Sequence, residues 1–218
     1  MWSIAMSAMT TRSMRLPNSA HESRPWRIRE IVRDFDLEDV WALPAQGGAE
    51  DFQRLLETVA SGDPAGEGST ATRVLWGART RLGSWLGWDD PTARIPIPGT
   101  SETSLAGRLP DELRGTAVDV ALGSVPFKAL YRTDVEFAGE ISNQTVHAVI
   151  HLAWVDQGAG RFAGQMAVYV KPRGLLGRGY MAVIKPFRYL VVYPALMRRI
   201  ERAWDGQPVE QAKLPSNG

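Results

Sequence analysis

The sequence predicts an α+β fold in which a curved antiparallel β-sheet packs on a long kinked C-terminal helix, with two smaller helices toward the N-terminal side. Three alternating extended runs, the short links between them, and a terminal stretch of helical periodicity carry that reading.

The extended runs lie late in the chain. In "PFKALYRTDVEF" Phe127, Ala129, Tyr131, Thr133, Val135 and Phe137 share one parity. In "TVHAVIHLAWV" Val146, Ala148, Ile150, Leu152 and Trp154 do so, leaving His147, Val149 and His151 opposite. In "RFAGQMAVYVK" the apolar set is Phe162, Gly164, Met166, Val168 and Val170. Each run has one apolar and one mixed face, and "AGEISNQ" and "DQGAG" are turn-like links, so neighbours should be antiparallel with the mixed face in water. A short first strand is expected in "PWRIREIVRDF".

Two amphipathic helices precede these strands. "GGAEDFQRLLETVAS" sets Phe52, Leu55, Leu56 and Val59 on one face, and a second helix is expected from about residue 71 to residue 88, ended by Asp89-Asp90-Pro91. Residues 91–126, rich in Pro and Gly, read as loops.

The chain has 218 residues, enough for one domain. Residues 1–24 read as a disordered N-terminal tail, residues 25–205 as a single domain and residues 206–218 as a flexible C-terminal tail. Lys and Arg total 25 against 24 Asp and Glu, so no strong field favours nucleic acid. There is no Cys, which excludes disulfides and cysteine zinc sites and fits a cytoplasmic protein. The start of the chain lacks the uninterrupted apolar run of a secretory signal.

The stretch "GLLGRG" followed by "YMAVIKPFRYLVVYPALM" admits three readings. Its glycines run GxxGxG rather than the GxGxxG of a dinucleotide loop, so they turn the chain from strand to helix. A membrane span would bury Lys185 and Arg188 at roughly 2.5 to 3.5 kcal/mol each. Peripheral contact through Arg178, Lys185, Arg188 and nearby aromatics stays open. The third reading is a bent helix, broken near Pro186 and Pro194, whose Leu196, Met197, Ile200 and Trp204 roof the apolar sheet face.

Four phrases, "RPWRIREIVRDFDLEDVWALP", "RLPDELR", "NQTVHAVIHLAWV" and "GQMAVYVKPRGLLGRGYMAVIKPFRYLVVYPALMRRIERAW", resemble the DUF2867 family, a domain of unknown function. The resemblance spans roughly Pro25 to Trp204, and its KP-x-GLLGR-x-Y junction is the most specific part. The same pattern looks like the end of a START or Bet v 1-like helix-grip fold, of the SRPBCC type, which implies a sheet wrapped around the terminal helix and an internal cavity. It also occurs in domains attached to short-chain-type NAD(P)-binding proteins. No catalytic residue is implied, and a full helix-grip sheet needs more strands than the three evident here.

Candidate chemistry is sparse. His147 and His151 share a strand face about 13 Å apart, too far for one metal ion, and read as an outward pair on the solvated side. His21 falls in the tail. In the acidic run Asp34, Asp36, Glu38 and Asp39, Asp36 reads as the cap of a helical turn and the others as solvated. The sequon Asn143-Gln144-Thr145 reads as a turn.

Tyr131 and Thr133 stand as polar residues among apolar neighbours, and buried hydroxyls need partners. With Phe137, Ile150, Trp154, Met166 and Met181 they make a candidate lining for a hydrophobic small molecule or lipid, bound without covalent chemistry. No catalytic residue, metal or cofactor is assigned. A cyclase, hydratase or isomerase using Tyr131 with a carboxylate is the alternative, and it requires a titratable group within hydrogen-bond reach of that hydroxyl. An accessory module serving a separate NAD(P)-dependent reductase is the third reading.

Overall fold

A computed structural model of the chain describes residues 14–60, 95–117 and 127–205. In chain order these form β1 (Arg15–Leu16), α1 (Ser19–Glu22), α2 (Ile28–Ile31), β2 (Asp36–Gly47), α3 (Phe52–Ala60), β3 (Lys128–Arg132), β4 (Glu136–Ser142), β5 (Val146–Gly158), β6 (Arg161–Pro172), α4 (Gly174–Phe187) and α5 (Tyr193–Asp205). A π-helical turn, Arg188–Val192, joins α4 to α5. The strands make one six-stranded sheet in the order β1-β2-β6-β5-β4-β3, every neighbouring pair antiparallel.

The expected α+β architecture, with an antiparallel sheet and a long C-terminal helix, is present. On one sheet face Trp41, Leu43, Phe137, Leu152, Trp154 and Met166 meet Phe52, Leu55, Leu56 and Val59 of α3 and Tyr193, Met197 and Ile200 of α5. These side chains fall at the helical spacing that the sequence shows in both helices. The second expected helix, residues 71–88, and the C-terminal tail lie outside the described residues.

The opposite face is not solvated, which corrects the one-sided sheet expected from the sequence. It carries a second core in which Trp26, Ile28, Ile31, Val32 and Phe35 lie with Ile97, Leu105, Leu109 and Leu113 over Val40, Tyr131, Ala138, Val149, Ala153 and Tyr169. A strand covered on both sides loses the alternation that marks a half-buried one. That is why β2, buried at consecutive positions Asp39, Val40 and Trp41, shows no strand signal in the sequence. Its Pro44 falls in the register shift between Ala42 and Gln46, where the ladder does not need the missing amide.

Four further expectations are overturned. The "WRIREIV" segment is a single helical turn rather than a strand, because Ile28, Ile31 and Val32 are buried at i, i+3 and i+4. Asp36 opens β2 instead of capping a helix. The run "PFKALYRTDVEF" is a hairpin, β3 and β4, and part of the supposed link "AGEISNQ" lies in β4. Its turn is tied by Thr133, whose amide donates to the Glu136 carbonyl at 2.8 Å and whose hydroxyl accepts from the Glu136 amide at 2.9 Å. The start of the fold also reaches into the expected tail, since Arg15 and Leu16 pair with Trp41 and Val40.

The glycine-rich junction is a packing device. Gly174 enters α4 with φ of +59°, a left-handed conformation that suits glycine. Gly177 is buried where a Cβ would collide with the Thr145 carbonyl and crowd the Pro172 backbone. α4 thus starts in contact with the β4–β5 turn and the end of β6. The distortion expected near Pro186 and Pro194 takes the form of the π turn lying between them. Gly177→Ala is therefore expected to lower stability by about 1 to 3 kcal/mol through forced backbone displacement, whereas exposed Gly179, with open space at its Cβ position, should accept Ala without loss. Chemical denaturation of the two variants checks the difference.

Candidate functional site

The sheet's second face holds an unusual density of buried polar groups. Glu136 and Glu140 alternate with Ala138 on β4, while His147 and His151 alternate with Val149 on β5, all turned to the same side. Both histidines are fully buried, so the outward pair expected from the sequence is corrected. Each imidazole has its own carboxylate: His147 Nε2 lies 2.9 Å from Glu140 Oε2, and His151 Nε2 lies 3.1 Å from Glu136 Oε2.

The carboxylates also hold the cover. Glu136 accepts the Arg27 amide at 3.0 and 3.2 Å and the Tyr131 hydroxyl at 2.9 Å. Glu140 accepts the Leu105 amide at 2.9 Å and the Ser104 hydroxyl. Ionised carboxylates at the foot of such donor sets are much better satisfied than neutral ones. Burial pushes the Glu136 carboxyl upward, but the His151, Tyr131 and Arg27 hydrogen bonds outweigh it and hold the group below its ordinary range. Glu140 is likewise held low, burial being outweighed by His147, Leu105 and Ser104.

His21 completes the cluster from above. By sequence it falls in a tail without a constellation, yet its side chain is fully buried, with Nδ1 2.8 Å from Gln165 Oε1. Its ring lies 5.0 Å from His151 edge-on, 6.0 Å from Trp26 in a stack and 5.8 Å from Tyr169. Since an amide oxygen only accepts, His21 carries its proton on Nδ1 and leaves Nε2 as a bare lone pair. His151 donates from Nε2 to Glu136, so its Nδ1 is bare in the neutral ring. Neither nitrogen, nor the Trp26 indole N–H, has a hydrogen-bond partner among the described residues.

Burial, followed by the nearby His151 ring, lowers the His21 pKa to about 4. Burial also lowers His151, against the pull of Glu136. Tyr131 is raised well above its usual range by burial and then by the Glu136 charge. At neutral pH His21 and His151 are therefore neutral imidazoles beside the protonated Tyr131 phenol and the Glu136 carboxylate.

The residues expected from the sequence to line a ligand do not form one group. Phe137, Trp154 and Met166 meet on the helix-covered face, with Ile150 at its margin, while Met181 packs near Val146, Ala148 and Val170. Tyr131 lies on the opposite face, because a bulge between Ala129 and Tyr131 reverses the parity of β3. Thr133 is in the hairpin turn. Trp154 is covered by Phe52, Phe162 and Trp204 and donates its indole N–H to the Gly48 carbonyl at 2.7 Å.

In the acidic run Asp39 departs from the solvated expectation, whereas Asp34 is exposed as expected. Asp39 is fully buried and meets Arg188 at 2.7 Å, the Tyr193 hydroxyl at 3.0 Å and the Tyr189 hydroxyl. Asp34 pairs with Arg108 and Lys171, and the Arg108 guanidinium holds its carboxyl far below the usual range. Asn143 makes the expected turn, its side-chain oxygen accepting the Thr145 and Val146 amides at 2.9 and 3.0 Å.

A family model described as a protein of unknown function, DUF2867, matches residues 31–195. The chain belongs to the DUF2867 family. The match includes Glu136, Glu140, His147, His151 and Gln165, whereas His21 and Trp26 precede it, so this DUF2867 chain closes its cluster with residues outside the matched region. No curated protein and no solved structure matches it. Among the described residues no group of three or more His, Asp or Glu side chains could hold a metal ion, and no helix is long and apolar enough to cross a membrane.

The neutral histidines fix a pH dependence. His21 takes up its proton near pH 6.5 when unfolded but only near 4 when folded, so stability falls as pH drops through that window. The effect is on the order of 3 kcal/mol, and the lowered His151 and Glu136 act in the same direction. Thermal melts from pH 7 to 4 should show this decline, and His21→Phe should flatten it. Equal slopes for the two proteins would assign the acid sensitivity to other groups.

Proposed function

We propose that the chain binds a small polar molecule at the His21–His151 pair and moves a proton on it, in an acid/base reaction of the isomerase, hydratase or cyclase class. The carrying observation is a pair of buried, neutral imidazoles, each with a bare ring nitrogen, beside Tyr131 and Glu136. Glu136 fixes the His151 tautomer, so Nδ1 is the lone pair offered. A proton arriving there makes an imidazolium whose charge the same carboxylate offsets, the division of labour in which a carboxylate orients and stabilises a histidine base. The Tyr131 hydroxyl donates at 2.9 Å to the same Glu136 oxygen that His151 meets, so the phenol and the imidazole share one carboxylate.

The roof consists of α1, α2 and their flanks, with Trp26 at the margin. A substrate reaches the imidazoles when this segment lifts, and its closure excludes water.

The sheet order, with β2, the first of the long strands, beside the last strand β6, and the terminal helix across one face support the START or Bet v 1-like helix-grip reading. That fold would place a hydrophobic cargo between sheet and helix. The large side chains Trp41, Phe52, Trp154 and Met166 are buried on that side, whereas the unpartnered ring nitrogens of His21 and His151 on the other can take up a proton, as the unpartnered Trp41 indole N–H cannot, and this favours the histidine face as the site.

The test is imidazole nitrogen NMR of the intact chain against a panel of small hydroxy, oxo and amino compounds, followed by incubation in D2O. At least one compound should shift the His21 and His151 signals and take up solvent deuterium, with Tyr131→Phe slowing exchange by about a hundredfold. Unmoved signals across the panel would refute the proposal.

A further inference from the structure

Along α4 and the π turn, one side of the helix is left uncovered by the described residues. Leu175, Leu176, Val183 and Leu190 are 83, 64, 79 and 76% exposed, and Gly179, Ala182 and Pro186 between them are exposed too. These positions recur every three or four residues, so they form a single apolar stripe rather than scattered surface residues. From Leu175 to Leu190 it runs for about 22 Å at the helical rise. Four large aliphatic side chains standing in water on one rod exceed what packing of this chain explains.

The charge around the stripe selects its occupant. From Gln157 to Ile200 the chain contains no Asp or Glu, while Arg178 and Lys185 lie on the same helix as the stripe and Arg15 stands over the Tyr189 ring. Arg178 is exposed; Lys185 is half-exposed and pairs with Glu38 at 2.8 Å. Tyr180, Phe187 and Tyr189 are half-buried beside it. A second copy of this helix would bring cation against cation. The segment from Ser69 to Trp88 carries Arg73, Arg79 and Arg81 and no acid, so it is equally mismatched. An apolar stripe flanked by cations and aromatics matches a surface of anionic lipid, where the aliphatic side chains enter the acyl boundary and the cations meet headgroups.

We propose that the exposed face of α4 docks the protein on anionic lipid surfaces, with the helix lying in the plane of the interface. This surface lies on the opposite side of the sheet from the histidine cluster, and the inference is independent of the acid/base reading.

Vesicle flotation of the full chain tests it, with phosphatidylcholine alone and phosphatidylcholine mixed with phosphatidylglycerol. Binding is expected to the mixed vesicles, little to the neutral ones, and less at high salt. Leu175→Glu, Val183→Glu and Leu190→Glu together should weaken binding by at least about tenfold; because these side chains are solvent-exposed, the melting temperature should stay close to that of the parent. A milder Val183→Ser single variant, folded by the same criterion, should lose part of the binding. Equal flotation of the parent and the triple variant overturns the proposal, as does equal binding to neutral vesicles. A dimer in light scattering that the triple variant dissociates, with no flotation of the parent, overturns it in favour of a second copy.

Discussion

Two glutamates on one strand hold the histidine face closed. Glu136 and Glu140 point into a core, where an ionised carboxylate is tolerable only when its lone pairs are filled. They are filled by the side chains of the sheet, His151 with Tyr131 and His147, and by the backbone of the cover, Arg27 and Leu105. The dependence runs both ways. If the cover lifts, each carboxylate loses a charge-assisted hydrogen bond worth about 1.5 to 3 kcal/mol; without the carboxylates, the Arg27 and Leu105 amides would be left to find other partners. Apolar residues such as Ile28, Ile31, Leu105 and Leu113 supply area, while the glutamates set register.

The helix-covered face is organised by a different charge. Asp39 of β2 binds Arg188, Tyr189 and Tyr193, which flank or lie within the π turn. A π turn accommodates an extra residue and rotates the helix beyond it, so the segment between Pro186 and Pro194 can aim three polar groups at one carboxylate while Met197 and Ile200 still land on the sheet. A buried ion pair of this kind contributes little net stability but costs much to break on one side only. It fixes where the terminal helix crosses the sheet, and so which of its sides stays outside.

Legibility in the sequence obeys the same logic. α3, β5, β6 and the terminal helix are legible because each has a regular apolar period, 3.6 or 2, over many residues. β2 is not, since it is buried on both sides and contains Pro44. The bulge at Ala129 and Tyr131 sends Tyr131 to the face opposite Phe137, and that single inserted residue takes Tyr131 out of the expected ligand lining. His147 and His151 look solvated because polar residues at alternate positions usually are. A signal is nonetheless there: Glu136 and Glu140 have the same spacing of four as His147 and His151 one strand later, which in an antiparallel pair sets two acids against two imidazoles on one face. His21 and Gln165, separated by most of the chain, have no local pattern to betray them.

The two faces thus divide the demands on the chain. The helix side is aromatic, with Trp154 among Phe52, Phe162 and Trp204, and it gives the fold its mechanical continuity from β2 to the terminal rod. The histidine side is roofed by pieces only a turn long, which cannot be stable by themselves and stay in place through a few specific hydrogen bonds. Elements held by few contacts open before those sharing a large core, so the cover is expected to open before the sheet. The proposed acid/base reading calls for that combination: a rigid floor carrying His151, Glu136 and Tyr131, and a cover carrying His21 and Trp26 that can leave and return without the sheet unfolding.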